Sequence, residues 1–190
     1  MIHHVFDIDR TLADGTHRER VAGFVAGTKP TEEQWTTFCQ PELMETDVTY
    51  PLAAMFMEEL RKDLLDDFGN VAHKISFITG RRDTVRTDTV LWLKKYYGYL
   101  DTEVLMMRRP EEEHIKASLY KETAFLSSIK PLDEGIENVQ YVFYEDLPSI
   151  QRMYSTYGIV VKCPDAWQVM DGDTARKVPE QLSFCFDDHV

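Results

Sequence analysis

The fold is decided by the stretch HVFDIDRT, residues 4–11, in which an apolar run leads into two aspartates. The run predicts a buried β-strand over 4–8, because β-branched and aromatic residues dominate it and polar residues follow. Asp7 and Asp9 lie two positions apart, and residues i and i+2 of a strand face the same way. Both carboxylates can therefore converge where the strand ends. A solvated turn would show the same pattern, so this pair alone is only moderately specific.

Four further apolar runs predict strands that are buried on both faces: 75–79, 104–107, 139–144 and 159–162. Apolar stripes at helical spacing lie between them; one begins at Pro51, and two end near Gly98 and Gly158. Alternating strands and helices predict an α/β fold with a central parallel sheet. A length of 190 residues fits one domain.

Residues 12–49 do not fit this alternation. They contain two short helical candidates, 17–26 and 31–39, joined by Gly27-Thr28-Lys29-Pro30. Ligands of open α/β sheets bind beyond the carboxyl ends of the strands. Because the insert follows the first strand directly, we expect it to form a small helical cap over the site.

Composition excludes several classes of function. The formal net charge of -12 argues against tight binding to long duplexes, since an acidic surface repels polyphosphate. Three widely spaced cysteines, Cys39, Cys163 and Cys185, argue against a disulfide framework or a zinc site. The start MIHHVFDID does not look like a signal peptide, and no apolar run approaches the roughly 20 residues of a membrane span. We expect a cytoplasmic protein without a membrane partner.

Carboxylates at two predicted strand ends suggest a metal site. Two close carboxylates repel each other, and their hard oxygen ligands suit Mg²⁺. One of Asp7 and Asp9 could attack phosphorus, and the other could carry the proton. Glu145-Asp146 follows the fourth strand and could complete the metal site, although Asp146 before Leu147-Pro148 also resembles a helix N-cap.

Two further features would suit a phosphate. In Thr79-Gly80-Arg81 a buried strand ends in a hydroxyl, a glycine and a base, which can bind phosphate oxygens. Lys116 and Lys121 lie between the third and fourth strands, where a lysine would neutralise an attacking carboxylate. An ordinary turn and two solvated lysines would look the same.

In this order the motifs resemble the haloacid dehalogenase-like superfamily of phosphotransferases. A closer resemblance is to the 3'-phosphatase domain of bacteriophage polynucleotide kinase and its stand-alone phage relatives. Beyond the aspartate motif and the acidic pair, the residues that carry it span nearly the whole chain: His17-Arg18, Lys29-Pro30 with Trp35, Thr79-Gly80-Arg81, Arg108 or Arg109, Lys121, Cys163, Trp167-Gln168-Val169 and Gly172-Asp173.

The resemblance implies a Rossmann-like three-layer core with a central parallel sheet and a small cap inserted after the first strand. It implies that Asp7 is the nucleophile and a metal ligand, and that Asp9 is the general acid/base and binds metal through its carbonyl. Asp146, with Glu145, would complete the Mg²⁺ shell. The remaining site residues would hold the phosphoryl group or the rest of the substrate: Thr79, Lys121, Arg18, Arg81, His17, Trp35 and Arg109.

Three departures from the family pattern stand out. Arg10 occupies the usual glycine position, which is costly if that backbone needs a positive φ. The acidic pair is Glu145-Asp146 in place of two aspartates, which leaves open which of them touches the metal. Ala117-Ser118 replaces the aspartates that precede the motif lysine, which bears on the seating of Lys121.

These features predict a Mg²⁺-dependent phosphomonoesterase with an aspartyl-phosphate intermediate. The expected substrate is a nucleotide or the 3'-phosphate end of a nucleic acid. Trp35 or Phe38 could stack on a base, or both could simply pack the cap. One alternative is a non-catalytic protein that binds nucleotide or phosphate, motivated by Arg10 and the missing acids. Another is a phosphatase of sugar phosphates or phosphoproteins.

Overall fold

A five-stranded parallel sheet forms the centre of the protein. The computed structural model describes residues 1–25, 28, 30–65 and 68–168. The sheet has the order β5-β4-β1-β6-β7, with β1 in the middle. Its strands are β1 (Ile2–Phe6), β4 (His73–Arg82), β5 (Val104–Arg108), β6 (Gln140–Glu145) and β7 (Ile159–Lys162), while β2 (Ala13–Asp14) and β3 (Val48–Thr49) form a separate antiparallel ribbon.

Helices cover both faces of the sheet. Eight α-helices lie in the described residues: α1 (Thr16–Ala22), α2 (Glu32–Phe38), α3 (Pro41–Met44), α4 (Pro51–Lys62), α5 (Arg86–Tyr97), α6 (Ala117–Ala124), α7 (Pro148–Tyr154) and α8 (Asp165–Gln168). Side chains of α4, α5 and α8 pack in one apolar cluster, and those of α6 and α7 pack in a second. The predicted α/β fold with a central parallel sheet is thus confirmed.

The strands differ from the predicted ones mainly at their ends. β1 stops at Phe6, so Asp7 is the first residue beyond it, and its N–H donates to the Tyr144 carbonyl at 3.0 Å. β4 continues to Arg82, three residues past its predicted end, with a register shift against β5 between Ile78 and Arg82. Such an irregularity bends a strand and redirects its side chains.

The helix ends follow local signals that are visible in the sequence. Pro51 opens α4, where its missing N–H costs nothing, and Gly98 ends α5 with φ 62°, a left-handed conformation that glycine adopts without strain. Helix α6 was not predicted. It has only eight residues and is followed by the π-helix Phe125–Ile129, so no regular apolar period marks it.

Between the two strands of the ribbon lies most of the insert 12–49. It holds α1, α2 and α3, and a capping box between Thr31 and Gln34 starts α2. Arg82 at the end of β4 pairs with Glu32 of α2 and with Glu113 at 2.9 Å, which ties the insert to the core. The insert therefore contacts the sheet at the carboxyl ends of its strands.

No helix of the described ranges is long and apolar enough to cross a membrane. Cys39 and Cys163 are buried free thiols. Trp167 packs against the core, and its indole N–H donates to the Thr11 carbonyl at 2.7 Å. Several other residues singled out above lie outside the described residues: Lys29, Val169, Gly172-Asp173 and Cys185.

Candidate active site

The carboxyl ends of β1 and β6, neighbours in the sheet, bring three acids together. One carboxylate oxygen from each of Asp7, Glu145 and Asp146 lies within 4.8 Å of the others. Asp7 and Glu145 are buried and Asp146 is half-buried. We call these three residues the three-carboxylate cluster.

Lys121 of α6 is seated on this cluster. Its Nζ lies 2.8 Å from Asp7 Oδ1 and donates to Glu145 Oε2 at 2.6 Å. The other Glu145 oxygen accepts from the Leu147 N–H at 3.1 Å. Glu145 thus fixes the position of Lys121, although the residues before this lysine, Ala117-Ser118, include no acid that could do so. Because both Glu145 oxygens are engaged, Asp146 is the more accessible acid of the pair.

Burial and mutual repulsion act on these acids. Burial raises the pKa of Asp7 to about 7, with Lys121 opposing the rise and Glu145 adding to it. Burial and the charge of Asp7 raise the pKa of Asp146 to about 8. Burial alone would lower the pKa of Lys121, but Asp7 and Glu145 outweigh it and raise that pKa above its usual range. Three carboxylates against one lysine leave a negative excess, and oxygen donors at this spacing fit Mg²⁺.

Asp9 lies in a different environment. Arg18, from α1, and Arg81, from β4, both donate to its carboxylate; Arg81 Nη2 lies 2.7 Å from Oδ1 and Arg81 Nε 3.0 Å from Oδ2. The same guanidinium groups hold Asp47, at 2.6 Å from Arg18 Nε and 2.8 Å from Arg81 Nη2. We call Asp9, Asp47, Arg18 and Arg81 the arginine cluster. It joins the insert to the strand ends of the core.

In the arginine cluster, charge balance keeps Asp9 ionised. Burial would raise the pKa of Asp9, but Arg81 and Arg18 outweigh it and hold that pKa well below its usual range. Each nitrogen of Arg18 has a hydrogen-bond partner, including the Phe38 carbonyl at 3.0 Å, and the side chain is fully buried. Arg81 Nη1 has no partner within the described residues but is buried as well. In this conformation neither arginine presents a free donor to a substrate at the surface.

Thr79 and His17 organise the chain around the two clusters. The fully buried Thr79 hydroxyl accepts from the Arg81 N–H at 3.2 Å and so shapes the strand end that carries Arg81. The His17 Nε2–H donates to the Leu43 carbonyl at 2.9 Å, and Nε2 lies 3.0 Å from the Thr46 hydroxyl. His17 thus holds α1 against the segment that leads to Asp47.

Trp35 packs within the insert. Its ring meets Phe24 and Phe38 edge-on, with centroids 5.2 and 5.4 Å away. Phe38 is buried and lies under the Arg18 guanidinium at 4.0 Å. Trp35 and Phe38 thus pack within the insert, as one of the two alternatives expected, although 37% of Trp35 stays exposed.

The structure places Arg109 away from both clusters. Its exposed guanidinium pairs with Glu112 at 2.9 Å and Glu111 at 3.4 Å in the turn after β5. It lines a cavity of about 540 Å³ between β5 and α6, whose lining includes Tyr120 but no member of either cluster. Arg108, the other candidate, stacks on the Tyr120 ring at 4.9 Å.

Arg10 has the positive φ that its glycine-like position suggested, at 61°. A left-handed conformation costs a non-glycine residue about 1–2 kcal/mol. Its guanidinium makes a two-pronged contact with Glu19 of α1, at 2.8 and 2.7 Å, and 53% of the side chain is exposed. An ion pair this exposed contributes at most about 1 kcal/mol, so it does not offset the strain by itself.

Sequence reasoning missed Asp47 and Glu19. Asp47 lies in a polar stretch, 38 positions after Asp9, and no motif marks it. The only available signal was physical, since two buried arginines near one aspartate require a second acid. Glu19 follows Arg18 directly, and its pairing with Arg10 depends on how α1 folds back over the motif.

Known proteins resemble this chain in fold but not in sequence family. No family model matches the chain, and no curated protein matches it. Chains from two solved structures, described as the Pnkp1/Rnl/Hen1 complex and the Pnkp1/Rnl/Hen1 RNA repair complex, each superpose with a TM-score of 0.55 at 20% sequence identity. The match covers 85% of this chain and 45% and 42% of those chains, so this chain spans less than half of their length. At this identity the likeness shows a shared fold.

Proposed function

We propose that this protein is a Mg²⁺-dependent phosphomonoesterase that forms an aspartyl-phosphate on Asp7. The observation that carries the proposal is the seat of Lys121, whose Nζ bridges Asp7 at 2.8 Å and Glu145 at 2.6 Å beside Asp146. A lysine held against a buried carboxylate at a strand end suits a reaction in which negative charge gathers at that carboxylate.

In the first step an Asp7 oxygen bonds to phosphorus and the bond from phosphorus to the ester oxygen breaks. The leaving alkoxide takes a proton from the protonated form of Asp9, and the phosphoryl group stays on Asp7. Lys121 donates toward the phosphoryl oxygens and offsets their charge. Residues that would hold Mg²⁺ are Asp7 and Asp146, with Glu145 behind them, and the ion would supply further charge neutralisation at the phosphoryl oxygens.

In the second step water attacks phosphorus, the bond to Asp7 breaks, and inorganic phosphate leaves. Asp9, ionised after the first step, accepts the proton of this water. To protonate the leaving alkoxide in the first step, Asp9 must first loosen its contacts with Arg18 and Arg81 and take up a proton. Both roles require Asp9 to leave Arg18 and Arg81, because a carboxylate whose pKa is held this low is a weak base.

We propose a nucleotide or the 3'-phosphate end of a nucleic acid as the substrate. The motif resemblance supports this choice. One of the structural neighbours is described as part of an RNA repair complex, which agrees with a nucleic-acid end as the substrate class. The formal net charge of -12 favours a small ligand or a short single strand over a long duplex.

The test is phosphate release from an aryl phosphate and from a 3'-phosphorylated oligonucleotide, with Mg²⁺ and with EDTA. We expect activity that EDTA abolishes and that Asp7→Asn loses, with Asp101→Asn as an exposed acidic control. Full activity of Asp7→Asn would exclude Asp7 as the nucleophile. Silence with every metal, together with phosphate binding, would instead support a non-catalytic binding protein.

A further inference from the structure

Arg10 is one of two non-glycine residues with a positive φ in the described part of the chain, the other being Asn138. The turn requires this conformation. The Ile8 carbonyl accepts from the N–H groups of Thr11, Leu12 and Ala13, and the Arg10 N–H donates to the Ala13 carbonyl at 2.7 Å. Glycine would satisfy this turn without strain, so the side chain must account for an arginine at this place.

Arg10 is more exposed than the two arginines of the arginine cluster. Arg18 and Arg81 are fully buried and held by Asp9 and Asp47, whereas half of the Arg10 side chain is exposed. Its partner is a single carboxylate, Glu19, which a stronger anion can replace. The Arg10 guanidinium is therefore the accessible arginine next to Asp9.

Arg10 also lies close to the reaction centre. It is three positions from Asp7, and the charge of Asp146 adds to that of Glu19 in raising the pKa of Arg10 above its ordinary value. Three residues of chain span at most about 11 Å, so Arg10 lies within reach of a substrate whose phosphate is on Asp7. The fork of a guanidinium matches the two oxygens of a phosphate or phosphodiester, as it matches the two oxygens of Glu19 here.

We propose that Arg10 binds a second anionic group of the substrate, the phosphodiester adjacent to the phosphate that is removed. This inference rests on the proposed function and deepens it, because it selects the end of a nucleic-acid strand over a mononucleotide. On binding, the phosphodiester displaces Glu19 from the Arg10 guanidinium.

The experiment compares a 3'-phosphorylated dinucleotide, which has one phosphodiester, with the matching nucleoside 3'-monophosphate. The ratio of their kcat/KM values should fall by about 10-fold to 100-fold in Arg10→Gly, the range for losing one charge-assisted hydrogen bond. The loss should lie mainly in KM, and Arg10→Lys should fall in between. An unchanged ratio in Arg10→Gly would overturn the inference, as would an equal loss on both substrates.

Two controls separate binding from folding. Arg20→Ala removes an exposed arginine of α1 beside Glu19 and should leave the ratio unchanged. Arg10→Gly also removes the backbone strain, so its melting temperature should stay within a few degrees of the wild type. A large drop in melting temperature would assign Arg10 a structural role instead.

Failure of the proposed function is distinguishable from failure of this inference. Dinucleotide binding to Asp7→Asn needs no turnover. If Asp7→Asn binds the 3'-phosphorylated dinucleotide about 10-fold or more tightly than Asp7→Asn/Arg10→Gly does, Arg10 holds the phosphodiester even in a protein that hydrolyses nothing. Equal affinities would refute the role of Arg10 whether or not the wild type is a phosphatase.

Discussion

The two aspartates of the opening motif are two residues apart, yet they lie in opposite electrostatic environments. Asp7 belongs to the three-carboxylate cluster, where a single lysine leaves negative charge uncompensated, and its pKa is raised to about 7. Asp9 belongs to the arginine cluster, where two guanidinium groups meet two carboxylates, and its pKa is held low. The first cluster holds three acids and one cation, whereas the second holds two of each.

The difference in charge balance suits the two clusters to different tasks. A cluster with excess negative charge can bind a divalent cation and change its charge during a reaction. A balanced, buried cluster holds its geometry, because removing any member leaves a charge without a partner. Asp7 thus lies in the unbalanced environment, whereas the balanced one joins the insert to the strand ends of the core.

The largest effect should come from unbalancing the arginine cluster. Asp47→Ala leaves two buried guanidinium groups on Asp9, and we expect it to lower the free energy of unfolding by about 3–5 kcal/mol. Urea denaturation measures it. The control is Asp101→Ala, whose acid pairs with Lys94 but is 80% exposed, and whose loss should cost less than about 1 kcal/mol. Equal losses would contradict the distinction between the clusters.

A second prediction removes the cation of the three-carboxylate cluster. Lys121→Met should lower kcat for phosphate release by about 10²–10³-fold, as for loss of one preorganised electrostatic donor. Lys74→Met is the matched control, since Lys74 pairs with Asp133 at 2.8 Å beside His3, at the amino end of the sheet. Steady-state kinetics decide the matter, with circular dichroism to verify folding. Similar kcat losses in both variants would indicate a general structural effect.

Mg²⁺ should stabilise the protein through the three-carboxylate cluster. At about 100 times its Kd the ion raises the free energy of unfolding by about 2.7 kcal/mol. Asp146→Asn should abolish this response, because it removes the more accessible ligand, whereas Asp101→Asn should keep it. Thermal melts with Mg²⁺ and with EDTA give the answer. A full response in Asp146→Asn would place the ion elsewhere.

The smallest effect, counted per pH unit, concerns a buried group outside both clusters. His4, in β1, hydrogen-bonds Tyr144 and His73, and burial lowers its pKa to about 3. Below pH 6.5 the unfolded chain binds a proton at His4 and the native state does not, so stability is lost as pH falls. We expect a slope of about 1.4 kcal/mol per pH unit from this group.

The pH dependence can be assigned with two variants. His4→Gln should reduce this slope between pH 6 and 4 and leave the part due to His3 and His73, whose pKa values burial also lowers. His114→Gln, at an exposed position, should leave the slope unchanged. If both variants keep the wild-type slope, His4 does not carry the acid sensitivity. The contribution of His4 to the pH dependence of the unfolding free energy must be subtracted before the contributions of the two clusters are measured.

The sequence predicted the fold well where the signal is local. All five strands of the sheet were expected from apolar runs, and Pro51 and Gly98 mark the two helix ends where they were placed. Helix α6 and the ribbon were missed, because short elements that are stabilised by tertiary contacts lack a period of their own. The predicted extension of β1 to Ile8 was wrong, since β1 ends at Phe6 and the loop of the motif closes on the Ile8 carbonyl.

For the candidate site, the sequence named most of the residues but not their partners. Asp7, Lys121 and Asp146 were expected near one another, and the structure brings them together. Arg18 and Arg81 were expected to grip a substrate, and in the structure both pair with Asp9 and Asp47. Their roles in a reaction remain predictions that the variants above test.

The sequence alone determined the α/β alternation and the position of Asp7 at a strand end, because both follow from side-chain periodicity along a short stretch of chain. Only the tertiary structure decided that Glu145 seats Lys121, that Asp47 balances two arginines, and that Arg10 adopts a positive φ. These outcomes depend on burial and on charges brought together from distant parts of the chain. Such charges fix the conformation of their neighbours only after folding has buried them, because a buried charge needs a partner and an exposed one does not.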